Sequence, residues 1–152
     1  METKKTVQIS FIILLIMTLI ALIYAIVTAL KPELLASRSF SLYTGQPWND
    51  LLTENATMAN YILILERMAG GLGIAASIGG LFVLLTVFRK VEKWAWYYVL
   101  VVSIVGWGNN LLANILTKNS LIIVIILIGL SLVIVGLLLS AKIFLSQKKD
   151  SN

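Results

Sequence analysis

Apolar residues run along this chain in long blocks separated by short polar breaks. Ile9 to Leu30 forms one block, interrupted only by Ser10, Thr18, Tyr24 and Thr28. Others run from about Met58 to Phe88, from about Trp94 to Leu116 and from about Leu121 to Phe144. A helix that spans a hydrocarbon core of about 30 Å needs roughly 20 such residues. Each block meets that length, so the pattern predicts an all-α, single-domain fold over residues 1–152. It is an integral membrane four-helix bundle in up-down-up-down order. The second block has 31 residues. As one helix it would measure roughly 46 Å, so it must tilt or protrude at one end.

The connections differ in size. Residues 31–57 form the one sizeable polar stretch and are expected as an outer loop, with Pro32 ending the first helix. Pro47 suits the first turn of a short helix, with Trp48, Leu51 and Leu52 on one side and Asp50 and Glu54 on the other. An irregular loop around one buried tryptophan is the competing reading. Thr57 is the expected N-cap of the second span. Asn55-Ala56-Thr57 matches a glycosylation sequon but lies against the membrane. Arg89, Lys90, Glu92 and Lys93 make a tight basic turn, followed by an aromatic belt of Trp94, Trp96, Tyr97 and Tyr98. Thr117 to Ser120 makes the last turn, and Gln147 to Asn152 a polar tail.

Composition narrows the chemistry. The chain is 59% hydrophobic and only 12% charged, far from a soluble domain of this size. It contains no cysteine and no histidine. That removes thiolate chemistry, zinc–thiolate sites and the commonest general base and metal ligand. No cofactor or metal site is expected. The net charge of +5 resides at helix ends, not along one face, so nucleic acid is not the implied partner; membrane lipid is. Lys4, Lys5, Arg89, Lys90, Lys93, Lys142, Lys148 and Lys149 fall on one side, and Lys31, Arg38 and Lys118 on the other. The positive-inside rule then puts both termini in the cytoplasm of a multi-pass plasma-membrane protein. Two lysines and an apolar stretch also open a secretory signal, but this run exceeds the 7–15 residues of a signal core and is read as a retained span.

Two features invite a functional reading. Glu66 and Arg67 are ionisable residues inside the second block, where such groups are costly at the bilayer centre. Glu66 lies 22 residues before Phe88, roughly 33 Å along a helix, which is the outer hydrocarbon edge. Asn110 and Asn114 share a face of the third helix, at about 24 Å and 30 Å from Trp94. Glu66, Arg67, Asn110 and Asn114 are therefore expected as one polar pocket opening outward. The bland alternative is a headgroup anchor beside asparagines that only cross-link helices. No second acid is placed for acid–base catalysis; Asp50 and Glu54 read as solvated loop charges.

The second feature is small-residue spacing. Ala69, Gly73 and Ser77 recur every four residues, as do Gly71, Ala75 and Gly79, and also Ala76 and Gly80. Such spacing lets helices approach closely, within the chain or against a protein partner or second copy. A phosphate-binding glycine loop is excluded, because no strand precedes these glycines and no Lys-Ser/Thr follows.

The glycine-rich helix ending in Phe88-Arg89-Lys90-Val91-Glu92-Lys93 and then Trp94-Ala95-Trp96-Tyr97-Tyr98 resembles small prokaryotic four-helix membrane proteins of the DoxX-like and related uncharacterised families. The resemblance covers the middle third of the chain and implies architecture more than activity. The layout also resembles claudin-like tetraspan proteins, but the paired loop cysteines of that group are missing. The expected role is a non-catalytic interaction or accessory protein. The alternatives are a small transporter or lipid-binding protein using the pocket around Glu66, and a membrane enzyme acting on a lipid or quinone.

Overall fold

The computed structural model describes residues 2–146, with side chains from Lys4 onward. Lys148, Lys149 and the rest of the polar tail lie outside the described residues. Six α-helices and no strand occur among the described residues. They are α1 (Glu2–Leu30), α2 (Glu33–Thr44), α3 (Trp48–Glu54), α4 (Ala56–Thr86), α5 (Lys93–Leu116) and α6 (Ser120–Leu145), with a 3-10 turn at Phe88–Lys90. Four of them, α1, α4, α5 and α6, are long and apolar enough to cross a membrane. The expected number of helices is thus corrected from four to six. Residues 31–57 hold α2 and α3, not a loop.

Local chemistry explains the two extra helices. Pro32, at φ −58°, immediately precedes α2, in the helical region where proline's ring already sits. Glu33 in the first turn is favourable at the positive end of the helix dipole. Gly45 ends α2 in the left-handed conformation at φ 75°, and its N–H bonds the Ser41 carbonyl at 3.0 Å, a glycine C-terminal stop. Pro47 then leads directly into α3. The start of α4 is also corrected: Asn55, not Thr57, is the cap, and its side chain accepts from the Met58 N–H at 3.0 Å.

The long helices pack around α1 and α6. α1 lies along α4 and α6, α5 lies chiefly on α6, and α4 meets α5 more sparingly. The α1–α4 seam depends on missing side chains. A Cβ on Gly70 would collide with the Ala29 backbone, and one on Gly73 would come within 2.9 Å of the Ala25 Cβ. Gly80 lies next to Thr18, and Ser77 between them is buried. The seam therefore runs Gly70, Gly73, Ser77, Gly80, alternating steps of three and four as helices crossing at a shallow angle require. On α6, Gly129 receives the Trp107 ring and Gly136 receives Ile13 and Leu14.

One apolar core fills the end of the molecule near the α4–α5 turn. It joins Leu14 and Met17 of α1, Val83 and Leu84 of α4, Trp96 and Val99 of α5, and Val133, Leu137 and Phe144 of α6. Phe88 and Phe144 stack with centroids 4.6 Å apart. Polar atoms in it are satisfied. Ser10 donates to the Gly136 carbonyl and sits 3.0 Å from the Ser140 hydroxyl, while Trp96 Nε1 donates to the Leu137 carbonyl at 3.0 Å. Away from this core the helices expose large apolar side chains such as Leu72, Phe82, Val105 and Leu138, as lipid-facing surfaces do.

α4 extends past the end of α1. α1 stops at Leu30, just beyond the Ala29–Gly70 contact. The stretch of α4 before that level is covered instead by α2 and α3, through a small cluster of Ala36, Trp48 and Ala59 with Phe40, Leu51, Leu52, Ile62 and Leu63 around it.

Candidate functional site

Where α1 breaks into α2, a cleft of about 770 Å³ opens between that elbow, α3 and α4. That volume falls within the range of small-molecule sites. Its polar lining comes from Lys31, Glu33, Ser37, Ser41, Asn49 and Arg67, and its apolar lining from Leu30, Leu34 and Leu63 beside Pro47 and Trp48. Trp48 fixes one wall. The indole is 6% exposed and packs edge-on to Phe40 at 5.6 Å. Its Nε1 donates to Glu33 Oε1 at 3.2 Å, so α2 and α3 are tied together across the cleft and the one lining acid has a partner.

The two cations have none. Among the described residues, neither Lys31 nor Arg67 makes a side-chain hydrogen bond or an ion pair, and both are exposed. Arg67 thus presents five uncommitted N–H donors in a planar fork. It lies 21 residues before Phe88, roughly 31 Å along the axis.

The four residues expected in one pocket are divided. Glu66 and Arg67 project about 100° apart. Arg67 lines the cleft. Glu66 is half-buried on the α1 side, within electrostatic reach of Tyr24. Asn110 donates to the Gly106 carbonyl at 3.1 Å and Asn114 to the Asn110 carbonyl at 2.9 Å, so each amide bonds within its own helix. No hydrogen bond among the described residues joins either asparagine to Glu66 or Arg67. The Asn114 carbonyl accepts the Asn119 N–H at 2.9 Å, closing the α5–α6 turn. Asn119 is 4% exposed and its Oδ1 has no partner.

The small residues are divided as well. Gly73 and Ser77 lie in the α1 seam, and Gly79 lies against the Tyr98 hydroxyl of α5. Ala69, Gly71 and Ala75 are exposed, and a Cβ on Gly71 would meet nothing within 4 Å. Gly70, outside the every-four pattern, makes the closest approach of all.

Reading the chain alone misses Lys31, Glu33, Ser37, Ser41 and Asn49 as site residues. Lys31 carries a signal only in hindsight, as the first cation after a span. The serines of α2 read as loop polarity, and only the elbow at Pro32 brings Ser37 and Ser41 into the same cleft as Arg67.

No protein-family model, curated protein or solved structure matches this chain. Among the described residues, no group of three acids could hold a metal ion. What the cleft offers is binding chemistry: two free cations, hydroxyl and amide donors, one engaged acid and an apolar edge.

Proposed function

We propose that this chain is an integral membrane protein of a prokaryotic cytoplasmic membrane, crossing it as an up-down-up-down bundle with both termini inside. In this reading it is an interaction or accessory protein that works by binding, not by catalysis. Supporting the orientation, Lys4, Lys5, Arg89, Lys90, Lys93 and Lys142 gather at one end of the long helices, against Lys31, Arg38, Arg67 and Lys118 toward the other. The observation that carries the function is the cleft under α2 and α3, with free cations on an apolar rim. It favours a lipid-binding form over a transporter, because its lining ends on α4 at Arg67 and includes no residue from the deeper part of any span.

The absence of cysteine makes the topology simple to test. Single cysteines are introduced by Ser41→Cys in α2 and Glu92→Cys in the α4–α5 turn. A membrane-impermeant maleimide applied to intact cells should label the first and reach the second only after permeabilisation. The reverse pattern would overturn the orientation. Liposomes carrying the protein should show no solute or proton flux above empty vesicles; robust flux would restore the transporter.

A further inference from the structure

We propose that the cleft is a headgroup site for an anionic phospholipid, with Arg67 and Lys31 holding the phosphate. The inference rests on the membrane-embedded binding reading above and names the ligand class. Charge is the first argument. The lining carries two cations against one acid, and that acid, Glu33, already accepts from Trp48 Nε1 at 3.2 Å. No ion pair joins either cation to an acid among the described residues, and the lining keeps a net positive charge even with Glu33 ionised, which favours an anion. Geometry is the second. A guanidinium fork matches two phosphate oxygens at once, whereas a lysine adds a point charge. The pairing of one arginine with one lysine suits a phosphodiester with free oxygens. Ser37, Ser41 and Asn49 supply neutral groups suited to the hydroxyls of a polar head.

The third argument is the rim, which distinguishes a lipid from a free anion. Leu30, Leu34 and Leu63 line the same opening, and Leu30 and Leu34 are 74% and 60% exposed. Inward along the same helices the exposed side chains are apolar, among them Ile26 of α1 and Met68 and Leu72 of α4. A soluble phosphate makes no use of that edge. A phospholipid does, since acyl chains following it lie along helices already suited to hydrocarbon. In the proposed orientation Arg67, 21 residues before Phe88 and so roughly 31 Å along α4, falls at the edge of a hydrocarbon layer of about 30 Å, the depth at which a lipid phosphate begins.

The test uses the full chain in mild detergent, stripped of native lipid and offered equal amounts of phosphatidylglycerol and phosphatidylcholine with the same acyl chains. Bound lipid is read by native mass spectrometry. The wild-type protein should retain the anionic lipid in preference. Arg67→Gln should cut that retention roughly tenfold or more, the scale of one lost charge-assisted contact, and Arg67→Lys should restore part of it. Glu33→Gln should raise retention, because it deletes the opposing charge while its amide oxygen still accepts from Trp48. A folding defect cannot mimic that gain. Equal retention of the two lipids, or unchanged retention in the Arg67→Gln/Lys31→Gln double variant, would overturn the proposal. So would displacement of the lipid by inorganic phosphate alone, which would make the site one for the free anion. If a total membrane lipid extract yields a different ligand cross-linked at the cleft, the phospholipid assignment fails and the binding reading stands. If it yields no bound molecule at all, both fail.

Discussion

Gly70 and Gly71 are neighbours with opposite constraints. A Cβ on Gly70 would be driven into the Ala29 main chain, which cannot swing aside as a long side chain can. At Gly71 the same methyl meets open space. Gly70→Ala should therefore destabilise the protein by about 1–3 kcal/mol, the usual cost of overpacking. Gly71→Ala should be neutral or stabilising by up to about 1 kcal/mol, through helix propensity. Thermal unfolding of both variants in the same detergent checks the contrast, and equal melting would mean that α1 and α4 are not in register at Ala29. The asparagines illustrate a related point. Asn110 and Asn114 were legible as polar groups in an apolar helix, but each amide can reach a carbonyl four residues back. A polar residue in a span need not seek a partner on another helix.

The informative elements are α2 and α3. Serines at 37, 39 and 41 break up the apolar periodicity of α2, and only Ala36 and Phe40, four apart, mark its inner face. Its boundaries carried clearer chemistry, with proline before the start and glycine after the end. Both short helices depend on Trp48, which fills the cluster they share with α4 and bonds Glu33. Trp48→Ala removes a buried aromatic worth about 3–5 kcal/mol in a typical core. The loss should be local. Limited proteolysis should cut within residues 31–57 far faster than in the wild type, while the long helices keep their circular-dichroism signal. Loss of that signal would place the tryptophan in the main core instead.

In the whole molecule, the distribution of small residues decides what can meet α4. The inward set, Gly70, Gly73, Ser77 and Gly80, is consumed by α1, and the outward set, including Gly71 and Ala75, is exposed. Gly73→Leu should then weaken the fold through α1 and leave the mass of the detergent-solubilised particle unchanged. Gly71→Leu, like Gly71→Ala, should not lower stability, and it should leave the mass unchanged. Light scattering coupled to size exclusion separates the cases. A lower mass in Gly71→Leu alone would show that a second copy occupies the outward face.

By itself the sequence determined the four long helices, the solvent they suit and the excess of positive charge at one end. Those properties are sums over many residues, and an apolar run of helical length carries its message whatever it packs against. It also determined that ionisable chemistry in the spans centres on Glu66 and Arg67. The tertiary structure alone decided which of that pair faces the cleft, which glycines form the seam, and that Lys31 and Arg67 line the same cleft although 36 residues separate them. These are questions of rotation and register between helices. A turn of about 100° separates one residue from the next, so the choice between seam, cleft and lipid is made by the neighbouring helix and not by the local pattern.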